Sequence, residues 1–182
     1  MGPAVTPAVD VAGAVPDDLA ELADVAARTF PLACPPSATT ENVAAFIAEN
    51  LSAARFAGYL TDPDRAVLLA RDGGRAVGYA MLIRGVPDDE DVQRAVTAHP
   101  AAELSKMYVL PDAHGAGASS ALMTAALESA RRSGAACVWL GVNQLNARAQ
   151  RFYAKHGFAV TGTKTFRLGS AVEHDYVMVR PL

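Results

Sequence analysis

Between Glu103 and Phe158 the chain runs strand, glycine-bearing loop, helix, strand, helix, an order that fits a site cradling a pyrophosphate. Glu103–Leu110 and Ala136–Val142 are apolar strand runs, and the helix between them sets Leu122, Met123, Ala126, Leu127 and Ala130 on one face at helical spacing. Two strands joined through a helix lie parallel in one sheet, because that crossover is almost always right-handed. The loop that opens the helix, Pro111-Asp112-Ala113-His114-Gly115-Ala116-Gly117-Ala118-Ser119-Ser120, suits a phosphate. Free N–H groups point outward at a helix start, the helix dipole adds partial positive charge, and glycine lets a diester approach the backbone closely.

Spacing then separates the nucleotide loops. A Walker loop needs a Lys-Ser or Lys-Thr pair after its last glycine, and the nearest lysine, Lys106, lies upstream. A dinucleotide fingerprint wants glycine where Ser120 stands and an acidic residue about twenty positions later, where this chain has Trp139-Leu140-Gly141-Val142. Taken alone, the loop is equally an ordinary strand-to-helix turn that uses glycine. No Gly-x-Ser-x-Gly nucleophile elbow occurs. His99, His114, His156 and His174 show no ligand spacing with acidic or thiol partners, so no metal is expected. Cys34 and Cys137 do not make a disulfide framework.

Elsewhere the signals are those of a small mixed domain. Val9–Ala12 reads as a first, edge strand after a frayed tail, and Met1 to Val15 lacks the basic residues of a secretory signal. Pro16-Asp17-Asp18 opens a helix to about Phe30, and Thr39-Thr40-Glu41 opens a second one carrying Val43, Phe46, Ile47 and Leu51. Ala66–Ala70 and Ala76–Arg84 flank Arg71-Asp72-Gly73-Gly74-Arg75, a hairpin whose glycines supply the turn. Residues 85–101 read as a polar connection, Gly157 as a left-handed helix cap, and Phe158–Thr163 and Val172–Arg180 as closing strands. With 182 residues and neither repeats nor linkers, residues 1–182 are expected to form a single domain. A net charge of −3 with scattered basic residues speaks against a nucleic-acid footprint, and no apolar run reaches membrane-spanning length. A cytoplasmic enzyme with neither nucleic acid nor membrane as partner is the expectation.

Residues 102–182 resemble the GNAT superfamily of acetyl-CoA-dependent N-acetyltransferases. His114-Gly115-Ala116-Gly117-Ala118-Ser119 falls where that family has Arg or Gln, two variable residues, Gly, one variable residue, then Gly or Ala; His114 and Ser119 are the two departures. Leu104-Ser105-Lys106-Met107-Tyr108-Val109-Leu110-Pro111 looks like the family's strand that pairs with pantetheine, and Asn146-Ala147-Arg148-Ala149-Gln150-Arg151-Phe152-Tyr153-Ala154-Lys155-His156-Gly157-Phe158 is close to its Asn, Ala, Phe-Tyr, Gly-Phe pattern. Trp139-Leu140-Gly141-Val142 and the ending Gly162-Thr163, Phe166, Leu168-Gly169, Asp175-Tyr176, Met178 are similar to the bacterial polyamine acetyltransferase branch. The resemblance implies an α/β (α+β) fold: a mixed, mostly antiparallel twisted sheet of about seven strands with one splayed parallel pair, flanked by about four helices.

It further implies a co-substrate, acetyl-CoA, and assigns roles. Pantetheine would enter the splayed gap along Met107, Tyr108 and Val109, with main-chain bonds at Met107 and Val109. Pyrophosphate would sit on His114, Gly115, Ala116, Gly117, Ala118, Ser119 and Ser120, where Ser119 adds a hydroxyl and His114 is read as a solvated loop side chain. Tyr153 is the expected acid for the leaving thiolate, and Asn146 is both an N-cap and a pantetheine contact. Glu103 is the candidate base, with an ordered-water route as the alternative. The acceptor is a small-molecule amine such as a polyamine; a protein amino terminus, a lysine or an amino-sugar drug is the second class, a non-catalytic acetyl-CoA sensor the third, and homodimerisation stays open. Asp88-Asp89-Glu90-Asp91 reads as a solvated helix start, and Tyr59, Phe56 and Glu49 are placed by position as an acceptor wall.

Overall fold

Apolar alternation along seven segments builds one sheet in the computed structural model, which describes Gly2 and residues 9–182, with Ala116 as backbone only. The strands are β1 (Asp10–Gly13), β2 (Arg65–Asp72), β3 (Arg75–Arg84), β4 (Ala101–Val109), β5 (Cys137–Asn143), β6 (Ala159–Leu168) and β7 (Ala171–Pro181), in the order β1-β2-β3-β4-β5-β7-β6. Every neighbouring pair is antiparallel except β4 and β5. The frayed tail expected before Val9 lies, apart from Gly2, outside the described residues.

Helices α1 (Leu19–Ala33), α2 (Thr40–Asn50), α3 (Ala53–Thr61), α4 (Glu90–Ala95), α5 (Ala118–Arg132) and α6 (Ala147–Lys155) complete the fold. That is six where about four were expected. The additions are the two shortest-patterned helices. α3 starts afresh because the Ser52 hydroxyl accepts from the Arg55 N–H at 3.2 Å, and α4 because the Asp89 carboxylate accepts from the Asp91 and Val92 N–H groups at 2.9 and 3.3 Å. Each buries too little apolar surface for its periodicity to stand out; Phe56 is the one fully buried side chain of α3. The acidic run at Asp88–Asp91 is thus a capped helix start, with Asp91 paired to Arg94 at 2.9 Å.

Both faces of the sheet are covered. On one, α5 lays Leu122, Met123, Ala126 and Ala130 against Val77, Ala80, Leu104, Val109 and Leu140. On the other, Leu22, Val25, Ala26 and Phe30 of α1 and Phe56 of α3 pack on Leu69, Tyr79 and Met81. The hairpin between β2 and β3 turns on Gly73 and Gly74 at φ of 57° and 84°, a left-handed pair that other residues adopt only with strain.

Two irregularities of β4 shape everything that follows. It pairs with β5 only through Ala101–Cys137, Ala102–Val138 and Glu103–Trp139, after which the two parallel strands part. Against β3 its register jumps: Lys106 faces Met81 but Leu104 faces Leu82, leaving Ser105 as an extra, unpaired residue. Such a bulge reverses the in-out phase of a strand. Ala102 and Leu104 before it, and Met107 and Val109 after it, point toward α5, so Glu103, Lys106 and Tyr108 all share the opposite face.

Candidate active site

Where the central strands β4 and β5 part, a cleft opens toward the start of α5. The Leu110 N–H bonds to the Val77 carbonyl at 2.8 Å while Val109 faces Gly78. By antiparallel alternation, Val109 and Met107 therefore turn their own N–H and C=O groups away from β3, into the gap. The outer part of the cleft, about 560 Å³, brings together Met107, Tyr108, Val109, His114, Gly117, Ser119, Ser120, Asn146 and Tyr153. Gly115 and Ala116 lie in the 3-10 helix Pro111–Ala116, and Ala118, the first residue of α5, is buried in the core.

Gly117 caps α5 at φ +80°, where no side chain is crowded but an L residue would be strained. The first bond of the helix runs from the Ala121 N–H to the Gly117 carbonyl at 3.0 Å. The N–H groups of Ala118, Ser119 and Ser120 precede it and have no intrahelical acceptor.

His114 is exposed, as expected of a loop side chain, but its ring is held at both nitrogens. Its Nε2 lies 2.9 Å from the Val109 carbonyl and its Nδ1 2.7 Å from an Arg148 guanidinium nitrogen. A carbonyl only accepts and a guanidinium only donates, so in this arrangement Nε2 is the donor and Nδ1 the acceptor. The histidine thereby occupies the Val109 carbonyl, leaving the Val109 N–H to the gap, and fixes Arg148 of α6 beside the loop.

The other wall is α6. Asn146 caps it, accepting from the Ala149 N–H at 3.1 Å, and Gln150 straps the preceding turn by donating to the Asn143 and Gln144 carbonyls at 3.1 and 3.0 Å. Asn146, Ala149 and Tyr153 recur at three and four residues and so face the cleft together. Tyr153 meets Phe152 and Phe158 edge-on, and burial pushes its phenol up to about 12.

Tyr153 also lines the inner end, about 300 Å³, with Glu103, Lys106, Lys164 and Asp175 between apolar walls of Phe30, Phe46 and Phe166. Burial raises the Glu103 carboxyl, an effect that Lys164, Lys106 and Arg65 oppose; burial lowers the Lys106 ammonium against the attraction of Glu103. Lys164 and Asp175 pair at 3.7 Å across the β6–β7 ladder. They cross above Gly141, where a Cβ would come within 2.5 Å of the Lys164 side chain.

The acceptor wall drawn from position is corrected by this arrangement. Phe56 is fully buried against Tyr79, Tyr59 donates its hydroxyl to the Asn50 carbonyl at 2.8 Å, and neither they nor Glu49 line the cleft. Phe30, Phe46 and Phe166 stand there instead. Lys106, Arg148, Lys164 and Asp175 were missed. A signal existed for one pair: a turn at Gly169-Ser170 sets Lys164 opposite Asp175 by counting back along the hairpin. Among the described residues no group of three or more His, Cys, Asp or Glu side chains is arranged to hold a metal, and no helix is long and apolar enough to cross a membrane.

Comparison with known proteins gives consistent matches. The profile described as "Acetyltransferase (GNAT) family" matches residues 21–158. An uncharacterized N-acetyltransferase of Mycobacterium tuberculosis is 62% identical over 165 residues, 91% of this chain and 98% of that protein. The crystal structure of PaiA N-acetyltransferase from Thermoplasma acidophilum, in complex with coenzyme A, superposes with a TM-score of 0.75 at 20% identity over 96% of this chain and 99% of that one. The ribosomal-protein-S18-alanine N-acetyltransferase of Escherichia coli superposes with a TM-score of 0.66 at 20% identity, covering 95% and 93%. Likeness at that identity is likeness of fold.

Proposed function

We propose that this chain, which belongs to the GNAT family of acetyltransferases and is an acyltransferase, moves the acetyl group of acetyl-CoA directly to a primary amine of a small molecule. The observation that carries this is the adjacency of two cavities, one at the start of α5 and one holding the partly buried carboxylate of Glu103, which share Met107, Tyr108, Asn146, Ala149 and Tyr153 as lining. Acetyl-CoA supplies an activated acyl carbon and a thiol leaving group. The residues fit it: the N–H groups of Ser119 and Ser120, the open approach at Gly117 and the Arg148 guanidinium suit a pyrophosphate, and the main chain at Met107 and Val109 suits an extended amide arm.

The remaining chemistry belongs to side chains. Holding both reactants side by side makes the step effectively unimolecular, and no protein nucleophile is needed. Attack requires a neutral amine. A Glu103 carboxyl raised by burial is a better base near neutral pH than an ordinary glutamate, and takes the proton directly or through water. Tyr153 keeps its proton throughout the physiological range and can give it to the departing sulfur. Backbone N–H groups of β4 facing the gap are in position to stabilise charge growing on the acyl oxygen.

The resemblance of the chain's ending supports a polyamine-like acceptor, and spermidine and spermine accordingly enter the test beside amino acids, an amino-sugar and a peptide amino terminus. The experiment is calorimetric titration with acetyl-CoA, followed by thiol release with each amine. Amine-dependent release establishes the transfer reaction. Tight binding without release from any amine would overturn it in favour of a sensor.

A further inference from the structure

On the reading that this cleft is an acetyl-transfer site, we infer that the acceptor is an amine that also carries a carboxylate, an amino acid or amino-acid-like compound, whose anion is read by Lys106. The observation is a mismatch of pairing. The Ser105 bulge swings Lys106 onto the face that already holds Glu103, so a base and an acid of opposite charge look into one small chamber. Lys164 and Asp175, across the chamber, satisfy each other at 3.7 Å. Arg65, the other cation whose field reaches Glu103, is held by Asp62 at 3.1 Å.

Among the described residues Lys106 and Glu103 have no such partner: neither lies within 4.0 Å of an opposite charge. The ammonium of Lys106 lies 6.0 Å from the Phe46 ring and, beyond ion-pair distance, feels the opposing fields of Glu103 and Arg65. Partly buried charges left unpaired are costly, and a site that keeps two of opposite sign is complementary to a ligand that brings both signs itself. With Glu103 facing the amine, Lys106 is left for an anion. A polyamine inverts this match, setting a second ammonium against Lys106 where water is too scarce to screen the repulsion. The inference therefore ranks the polyamine-like acceptor second.

Pairs matched in chain length and differing by one carboxylate test it: lysine against cadaverine, and 5-aminopentanoate against pentylamine. We expect the wild-type enzyme to favour the carboxylated member of each pair about tenfold or more in kcat/KM, the effect of one charge-assisted hydrogen bond. Lys106→Gln should erode the ratio, and Lys106→Glu should reverse it toward cadaverine. Preference of the wild-type enzyme for cadaverine or spermidine, or an unchanged ratio in a cooperatively melting Lys106→Gln protein, would overturn the inference. Equilibrium titration of the protein–CoA complex with the same compounds separates the two questions. Carboxylate preference in binding without thiol release upholds the acceptor chemistry and removes the transfer reaction, whereas no preference in binding removes the acceptor chemistry even where acetyl transfer to other amines is measured.

Discussion

Replacing Glu103 by Gln should make the protein less active and more stable, and both effects should follow pH. The side chain is partly buried, has no opposite charge within 4.0 Å among the described residues, and burial raises its carboxyl above the ordinary 4.5. The folded state therefore holds this proton more tightly than the unfolded chain does. Stability contributed by the group is complete below pH 4.5 and is lost as pH rises through the raised folded value. Glutamine keeps the shape and carries no charge, so the advantage of the variant should be absent at pH 4 and grow toward pH 8. An unpartnered buried polar group costs about 1–3 kcal/mol; for a partly exposed one we expect about 1 kcal/mol, or ~2–4 °C in Tm for a chain of this size. Activity should move oppositely, falling about 10²-fold or more, because a positioned base contributes that much. The acidic limb of the wild-type kcat/KM profile should lie above the ordinary carboxylate range and vanish in the variant. Thermal melts at several pH values and the kinetic profile are the assays. A stability difference independent of pH, or a surviving acidic limb, would refute the reasoning and return the proton to a water chain.

Tyr153→Phe should keep acetyl-CoA binding in calorimetry and lose about 10²-fold in kcat, as removal of an acid does. Arg148→Ala should weaken acetyl-CoA about tenfold while sparing acetyl-pantetheine, which lacks the pyrophosphate. His114→Ala should do the same, and the double variant should lose little more, since Arg148 is held through the His114 ring at 2.7 Å. Gly78→Ala should destabilise by about 1–3 kcal/mol, because its Cβ would fall 2.8 Å from the Tyr108 carbonyl and 2.9 Å from the Val109 side chain. Chemical denaturation reads that loss, and a raised KM for acetyl-CoA should accompany it as β4 is pushed from β3.

Regular elements announced themselves where burial forces a period on the sequence. The apolar runs of β4 and β5 and the apolar face of α5 made the parallel pair and the loop before Gly117 legible, and the family resemblance supplied the cleft wall of Met107, Val109, Asn146 and Tyr153. The inner chamber was not. Its charges come from β4, β6 and β7, and nothing local to Lys106 or Asp175 says that they meet. Phe30 and Phe46 looked like core residues, and they are partly that: they stack at 4.5 Å and offer the chamber the rest. The clasp at His114 was hidden for a related reason. A loop histidine is usually solvated, and its clasp with Arg148 joins residues 34 apart.

The bulge at Ser105 ties these points together. In a regular strand, residues three apart face opposite sides, so Glu103 and Lys106 would be divided between the α5 core and the cleft. A buried lysine against Leu122 and Met123 would be intolerable, and the sequence would read as a folding error. One extra residue instead sets both charges on one face, at the point where β4 has lost β5 and has backbone to spare. On the proposed reading the same geometry sets stability against activity. Neutralising Glu103 and Lys106 would remove two partly buried charges without ion-pair partners and, with them, the proposed base and the proposed anion contact.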